Sequence, residues 1–388
     1  MTMPAPVLPA QRRARRPAIW AVGLVVAYFC LANPVVADGP IGGGEFRTDF
    51  SRHSIDLSEI VRGGPPKDGI PPIDRPQFVS TAQARRWLTG DEPVISLALD
   101  GRAKAYPIQI LTWHEIVNDR LAGQPVVVTF CPLCNTAIAF SRVVDERVLD
   151  FGTTGRLRRS NLLMYDRQSE SWWQQATGEA VIGDYTDTQL RVLPAQILAW
   201  REFQTLYPEG MVLSRDTGHE RDYGRNPYVG YDDINAAPFL YRNEVVDGRL
   251  APMTRVITVE RGGQARAYPL ATLRRERVIN DRLADEPIVV IWRPGLRSAL
   301  DTRRIRDGRE IGAAAVFSRQ VGTETLTFYP DGDVVRDAQS QSVWSAVGEA
   351  VAGPRRGDSL APIVHINHFW FSWAAFRPNT EIYGASEG

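Results

Sequence analysis

Short apolar runs separated by polar turns dominate the chain, and this pattern predicts a strand-rich protein. Residues 125–130 form a β-branched apolar run that predicts a buried strand. Residues 137–140 and 148–151, with the charged Asp145 and Glu146 between them, predict a hairpin. Strands are therefore expected on both sides of residues 131–136.

Helical spacing of apolar residues is found at residues 110–118. A helix over this range would place Trp113, His114 and Val117 within one turn of each other. Its end would lead into the strand at residues 125–130. We therefore expect the helix to bring His114 toward the end of that strand.

The chain repeats its own sequence pattern once. The segment at residues 101–107 recurs at residues 263–269, and residues 117–122 recur at residues 279–284. Further matches follow in the same order. A single repetition over this distance indicates a duplicated domain, because solenoid repeats are only about 20 to 50 residues long. We therefore predict an α+β, strand-rich and internally duplicated two-domain architecture.

The N-terminal segment has the pattern of a secretory signal peptide. Basic residues at 12–16 precede an apolar run at residues 18–31, and Ala37 offers a cleavage position. An uncleaved anchor is the alternative. The predicted organisation is a signal peptide (1–37), an N-terminal extension (38–68), a first repeat (69–217), a loop-rich connection (218–253) and a second repeat (254–388).

Composition narrows the possible partners and the compartment. The 388 residues include 45 basic and 45 acidic side chains, so the formal net charge is zero. We therefore expect no nucleic-acid partner, because phosphate binding needs a concentrated basic face. After signal removal we expect no membrane span, an exported protein in the periplasm or outside the cell, and two remaining cysteines. In an oxidising compartment these are expected to be paired, metal-bound or actively kept reduced.

Those two cysteines form the motif Cys131-Pro132-Leu133-Cys134. A thioredoxin-type pair needs a helix N-terminus at its first cysteine, and this motif is instead predicted between two strands. A turn of that kind resembles half of a zinc or iron knuckle, with both sulfurs facing one centre. A structural disulfide across the turn is the alternative interpretation.

The two halves differ where the chemistry is expected. Three reactive residues of the first half lack counterparts in the second: Cys131 aligns with Arg293, Cys134 with Leu296 and His114 with Glu276. The second half instead carries an Arg-rich insertion at residues 297–312. The first half is therefore interpreted as the working copy, and Cys131, Cys134 and His114 are predicted to bind a metal, Zn or Cu(I).

Other polar residues are interpreted by whether they recur. Possible site-lining residues of the first half are Glu115, Asn161, Met164 and Asp166. The thioether of Met164 would suit Cu(I). Asn118 and Asp119 recur as Asn280 and Asp281 and are expected to form a helix-end turn. His365 and His368 precede an aromatic run and are expected near a helix N-terminus rather than in a metal site. The connection at residues 218–247 is expected to cover the cysteine site.

A set of motifs in fixed order resembles the family known as domain of unknown function 3179. The motifs lie at residues 63–71, 105–107, 113–119, 131–134, 160–167 and 172–180. The resemblance spans residues 59–383. Asn135 stands where the family commonly has glycine, and asparagine also tolerates the left-handed conformation. The resemblance implies motifs and export but no reaction.

Three classes of function remain open from the sequence. The first is metal binding by Cys131, Cys134 and His114. The second is a thiol–disulfide oxidoreductase with Cys131 as the nucleophile and His114 as its base. The third is a binding or scaffold protein with a structural disulfide. A small molecule, a metal or a periplasmic protein would be the partner, and Zn or Cu(I) the only cofactor considered.

Overall fold

A computed structural model describes residues 41, 44–242, 246–345 and 347–385. The predicted signal peptide and the first residues of the N-terminal extension lie outside the described residues. The described part of the chain forms one compact unit, in which strands outweigh helices. The α+β, strand-rich prediction is thereby confirmed. Among these residues, no helix has the length and apolar character needed to cross a membrane.

The first half contains three helices, sixteen strands and two 3₁₀ turns. The helices are α1 (Thr81–Ala84), α2 (Ile108–His114) and α3 (Trp200–Leu206), and the 3₁₀ turns are Leu57–Glu59 and Pro132–Cys134. The strands are β1 (Ile60–Arg62), β2 (Phe78–Ser80), β3 (Pro93–Leu99), β4 (Arg102–Pro107), β5 (Ile116–Leu121), β6 (Gln124–Cys131), β7 (Thr136–Ser141), β8 (Val143–Val144), β9 (Arg147–Val148), β10 (Phe151–Arg158), β11 (Asn161–Asp166), β12 (Trp172–Gln174), β13 (Glu179–Ile182), β14 (Val192–Leu193), β15 (Gln196–Ala199) and β16 (Met211–Leu213).

The described part of the second half contains two helices, thirteen strands and one 3₁₀ turn. The helices are α4 (Leu270–Glu276) and α5 (Trp370–Phe376), and the 3₁₀ turn is Ile305–Asp307. The strands are β17 (Arg255–Arg261), β18 (Gln264–Pro269), β19 (Val278–Leu283), β20 (Glu286–Arg293), β21 (Ala313–Ser318), β22 (Gln320–Val321), β23 (Glu324–Thr325), β24 (Phe328–Asp331), β25 (Val334–Asp337), β26 (Val343–Trp344), β27 (Ala350–Ala352), β28 (Ile366–Phe369) and β29 (Glu381–Ile382).

The sheets of the two halves have matching strand orders. In the first half the orders are β15-β3-β4-β16-β2, β14-β7-β6-β5 and β1-β10-β11-β12-β13, and in the second β28-β17-β18-β29, β19-β20-β21 and β24-β25-β26-β27. The corresponding sheet of each half contains one parallel pair, which is β4 with β16 in the first half and β18 with β29 in the second. These orders agree with the predicted repeat. The duplication itself and the domain bounds remain predictions.

The helix predicted at residues 110–118 starts earlier and ends sooner in the structure. It covers Ile108–His114 and stops at Glu115, which has a positive φ of 58° and donates its N–H to the Leu111 carbonyl at 2.7 Å. From Ile116 onward the chain is strand β5, antiparallel to β6. The helical prediction for residues 115–118 is therefore wrong. Ladder pairing of β-branched residues outweighs their helical spacing.

Asn118 and Asp119 consequently lie in a strand, and the predicted helix-end turn is wrong. The Asn118 amide exchanges two hydrogen bonds with the backbone of Phe151, at 2.8 and 2.9 Å. Asn280 does the same with Phe328, at 2.7 and 2.8 Å. Each asparagine ties its strand to the start of the next sheet. Their recurrence in the sequence thus reflects a repeated structural contact.

The recurring aspartates also have a structural role in both halves. Asp119 accepts a hydrogen bond from the Tyr106 hydroxyl at 2.7 Å, and Asp281 accepts one from Tyr268 at 2.7 Å. Burial and the neighbouring carboxylate raise the pKa of both phenols, so they stay protonated as donors. The same pair therefore holds the strand–helix–strand unit of each half.

Candidate functional site

The cysteine motif lies in a tight turn between two central strands. Strand β6 ends at Cys131, the 3₁₀ turn Pro132–Cys134 follows, and strand β7 begins at Thr136. Asn135 links them in the left-handed conformation, with φ 52° and ψ 37°. Both the turn between strands and the left-handed asparagine are confirmed. The turn thus holds its two cysteines close together at one end of a sheet.

Cys131 and Cys134 are free thiols, and at most 1% of the surface of either residue is exposed. The Cys134 thiol donates to the Ser160 carbonyl at 3.4 Å. The Cys131 thiol lies close to the Cys134 side chain and to the backbone groups of Leu162 and Cys134. Burial, followed by the contact with Cys134, raises the pKa of Cys131 well above its usual range. Cys131 therefore holds its proton at neutral pH.

The structure does not bring His114 to the cysteines as a ligand. Its Nδ1 donates to the Pro71 carbonyl at 2.7 Å, and its Nε2 lies 2.6 Å from the Tyr223 hydroxyl. Burial lowers the pKa of His114 to about 4, so the ring is neutral and its Nε2 accepts from Tyr223. Both ring nitrogens are thus engaged away from the sulfurs. The described structure thus does not assemble the predicted Cys131, Cys134 and His114 ligand set, because the His114 ring is held by Pro71 and Tyr223.

Glu115, the next residue, is the side chain that faces the sulfurs. Its carbonyl accepts from the Phe130 N–H at 2.8 Å, which sets it beside the end of β6. Burial and the nearby Cys131 raise the pKa of its carboxyl group well above the usual range. Its backbone strain is not specific to the site, since Arg277 has φ 65° at the same place in the second half. Glu115 is therefore a buried, neutral acid near Cys131.

Metal-ligating side chains are not clustered at this place. Across residues 41, 44–242, 246–345 and 347–385, no group of three or more His, Cys, Asp or Glu side chains has the geometry to hold a metal ion. The two sulfurs are thus a pair without a third such ligand among the described residues.

A network of buried side-chain amides is hydrogen-bonded to the strands on both sides of the cysteine turn. Asn161 donates to the Gln175 side chain at 2.8 Å and accepts from Gln174 at 2.6 Å. Gln175 in turn donates to the Thr129 hydroxyl at 2.9 Å and to the Thr136 carbonyl at 3.2 Å. Asn161 was predicted to line the site, whereas the two glutamines were missed. Their position between two motif tryptophans and a turn was the available sequence signal.

Met164 and Asp166 have different surroundings. Met164 is fully buried in the apolar cluster that also contains both cysteines. Asp166 instead accepts from the indole of Trp173 at 3.0 Å, and Asp337 accepts from Trp344 at 2.9 Å. The Asp166 contact therefore belongs to the recurring scaffold. Asp166 has no hydrogen bond to the cysteines, while Met164 shares their packing.

The second half reaches the cysteine turn through His368. Its Nδ1 lies 2.8 Å from the hydroxyl of Thr136, which also donates to the Cys134 carbonyl at 3.2 Å. His368 lies in strand β28, and Phe369 rather than a histidine caps the following helix. His368 thus lies just before the helix, as expected, but its ring does not cap the helix. Burial lowers the pKa of His368 to about 3, so this ring is neutral.

The loop-rich connection covers the cysteines. Tyr228, Tyr231 and Tyr241 pack against the apolar cluster that contains Cys131 and Cys134. The Tyr231 hydroxyl donates to the Leu133 carbonyl, inside the cysteine turn, at 3.0 Å. Ser160 donates to the carbonyl of Phe239 in the same connection, which adds a second attachment. The predicted cover is thus present in the structure.

The Arg-rich insertion of the second half fastens this cover. The buried carboxylate of Asp232 lies 2.6 Å from Arg255 and 2.8 Å from Arg309, and the Ser298 hydroxyl donates to it. Burial alone would raise the pKa of Asp232, but the charge of Arg255 and the Ser298 hydrogen bond lower it overall. The Gly230 N–H also donates to the Asp301 carbonyl at 2.6 Å. Cover and insertion therefore form one packed layer.

The fold and the site define a strand-rich α+β protein with a covered Cys-x-x-Cys pair in its first half. The sequence profile of the family described as Protein of unknown function (DUF3179) matches residues 67–380. The chain belongs to this family, as the motifs of its sequence indicated. No curated protein and no solved structure matches the chain.

Proposed function

We propose that this is an exported thiol–disulfide protein in which Cys131 and Cys134 cycle between a dithiol and a disulfide. The observation that carries the proposal is the placement of two buried free thiols at the two ends of one 3₁₀ turn. Two cysteines held together in this way can form a bond without rearranging the sheet around them. The basic and apolar N-terminal segment supports export.

We assign Cys131 as the nucleophile. The backbone groups of Leu162 and Cys134 oppose the effect of burial and lower the pKa of its thiol, whereas the proton of Cys134 is directed at the Ser160 carbonyl. Cys131 attacks one sulfur of a disulfide partner and forms a mixed disulfide, and the departing thiolate takes up the proton lost by Cys131. Cys134 then attacks Cys131 and releases the second partner thiol. The pair loses two electrons and two protons, which reduce the partner disulfide to two thiols.

Glutathione in graded mixtures of its reduced and oxidised forms tests the cycle. The wild type should lose both thiols together in one transition, as measured by alkylation and intact mass. Cys134→Ser should trap one glutathione on Cys131, while Cys131→Ser should trap far less. Two thiols that stay reduced across the whole range, or equal adducts on both variants, would refute the proposal.

Soft-metal binding is the second candidate function. A left-handed residue after the second cysteine and backbone groups close to the first sulfur also suit two thiolates bound to a metal. Cu(I) fits better than Zn, because thiolate and thioether ligands are soft and Met164 shares the cluster. Anaerobic purification followed by measurement of copper and zinc per chain tests this candidate. Loss of the metal in both Cys131→Ser and Cys134→Ser would support it.

A further inference from the structure

The cover touches the cysteine turn through one specific hydroxyl group. Tyr231 donates to the Leu133 carbonyl at 3.0 Å and accepts from the Phe239 N–H at 3.2 Å. Burial raises the pKa of the Tyr231 phenol, so its proton stays available for the donated bond. The Leu133 carbonyl lies between the two cysteines. Tyr231 therefore fixes the orientation of a peptide group within the turn.

The residue after Tyr231 is anchored to the second half. Asp232 has a fully covered side chain bound to Arg255 from β17 and to Arg309 and Ser298 from the insertion. Arg309 also donates to the Asp232 backbone carbonyl at 2.7 Å. Two adjacent residues thus join the cysteine turn on one side to the second half on the other.

We propose that Tyr231 is a positioning residue for the cysteine pair and that Asp232 ties it to the second half, which thereby sets the balance between dithiol and disulfide. This inference rests on the proposed thiol–disulfide function. It assigns the cysteine-free half a role in the chemistry of the other half. Neither residue touches a substrate, and both act through the Cys131-Pro132-Leu133-Cys134 turn.

The direction of the effect follows from the geometry of the bond that forms. A disulfide requires its Cβ atoms to lie about 3.5–4.5 Å apart with a dihedral near 90°. Two free sulfurs therefore have to move to bonding distance, and the turn from Cys131 to Cys134 carries both of them. Tyr231 holds the Leu133 carbonyl in the orientation found with free thiols. Its hydrogen bond therefore stabilises the dithiol. Removing the bond shifts the equilibrium toward the disulfide.

Tyr231→Phe removes only the hydroxyl group and is the direct test. In glutathione buffers, its equilibrium constant should move toward the disulfide by about fivefold, the effect of losing one hydrogen bond. Tyr185→Phe is the matched control, because Tyr185 packs against the same apolar cluster beside Trp173 and not on the cysteine turn. We expect the control to match the wild type. A constant for Tyr231→Phe that is unchanged, or that moves toward the dithiol, would overturn the inference.

The link to the second half is tested at Arg309, whose side chain is 46% exposed and whose replacement is milder than that of buried Asp232. Arg309→Gln should loosen the cover and raise the rate of thiol alkylation by iodoacetamide about fivefold. Arg261→Gln, which breaks a surface ion pair with Glu286 in the same half, is the control and should leave the rate unchanged. Equal rates in both variants would refute the link.

The two proposals fail in different ways. If the wild type forms no Cys131–Cys134 disulfide in any glutathione mixture, the proposed function is refuted. If the wild type cycles but Tyr231→Phe and Tyr185→Phe share its equilibrium constant, only the positioning role is refuted. Far-UV circular dichroism of each variant ensures that only folded protein is compared.

Discussion

The two halves of the molecule contain the same supporting contacts but end one equivalent strand differently. In both halves, a tyrosine hydroxyl donates a hydrogen bond to an aspartate, and a tryptophan indole donates one to another aspartate. In both, an asparagine side chain is also hydrogen-bonded to the backbone of a phenylalanine. Strands β5, β6 and β7 have the same lengths as β19, β20 and β21. What recurs is therefore the scaffold that orients the strands.

The difference lies after β6 and β20. The first half makes the short turn Pro132–Cys134 and enters β7 at once, whereas the second inserts residues 294–312 before β21. That insertion packs on the connection that covers the cysteines, and Leu300 within it is buried in their apolar cluster. The second half therefore contributes to the cysteine site by holding the cover of that site in place.

The largest expected effect compares the two buried tryptophans. Trp173→Ala and Trp344→Ala should each lower the free energy of unfolding by about 3–5 kcal/mol, because each leaves a large cavity and an aspartate without its indole donor. Only Trp173 packs in the cluster with the cysteines, so only its replacement should also speed thiol alkylation. Urea denaturation and iodoacetamide kinetics measure both. Faster alkylation in both variants would contradict the expectation that only Trp173 of the first half packs with the cysteines.

Acid should destabilise the protein through buried histidines of both halves. The pKa values of His114 and His368 are lowered to about 4 and about 3, so the unfolded chain takes up protons below about pH 6.5 that the folded chain does not. Stability is therefore present above that pH and falls as the pH drops. His114 alone should contribute a loss on the order of 3 kcal/mol by pH 4.

The variant His114→Gln sharpens this expectation. The loss of unfolding free energy between pH 7 and pH 4.5 should be smaller than in the wild type, because one of the buried rings with a lowered pKa is gone. His53→Gln, at an exposed histidine, is the control and should retain the wild-type pH dependence. Urea titrations at both pH values provide the measurement, and an identical dependence in all three proteins would contradict the assignment.

A smaller and unequal effect is expected at the recurring aspartates. Asp119→Asn and Asp281→Asn should each lower the free energy of unfolding by about 1–3 kcal/mol, since each weakens a tyrosine hydrogen bond and an ion pair. Asp119→Asn should cost more. Arg266, the partner of Asp281, keeps a second carboxylate in Glu381 at 2.5 Å. Thermal unfolding of both variants tests the ranking, which a greater loss in Asp281→Asn would reverse.

The smallest effect is expected at Asn135. The turn that this residue ends has no counterpart in the second half. Asn135→Gly should change the free energy of unfolding by less than about 1 kcal/mol, because glycine adopts φ 52° without strain. Asn135→Val should lower it by about 1–2 kcal/mol, since a β-branched residue resists that conformation. Comparing the melting temperatures of the two variants tests this. Equal destabilisation by both would show that the Asn135 side chain matters more than its backbone conformation.

The sequence by itself determined the elements with strong local patterns. The β-branched run at residues 125–130, the cysteine turn and the left-handed Asn135 could all be predicted, because strand propensity and turn chemistry act over a few neighbouring residues. Comparison of the two halves also separated the scaffold residues from the cysteines and pointed to Glu115, Asn161 and Met164 near the site.

Only the tertiary structure decided where α2 ends and which way His114 faces. Its local pattern is helical through residue 118, but pairing of β5 with β6 ends the helix at Glu115 and leaves the ring bonded to Pro71 and Tyr223. The contacts of His368 and Tyr231 with the cysteine turn, and of Asp232 with Ser298, join residues about 60 to more than 200 positions apart. Such contacts depend on how sheets from both halves pack, because no short-range pattern in a single sequence specifies a distant partner.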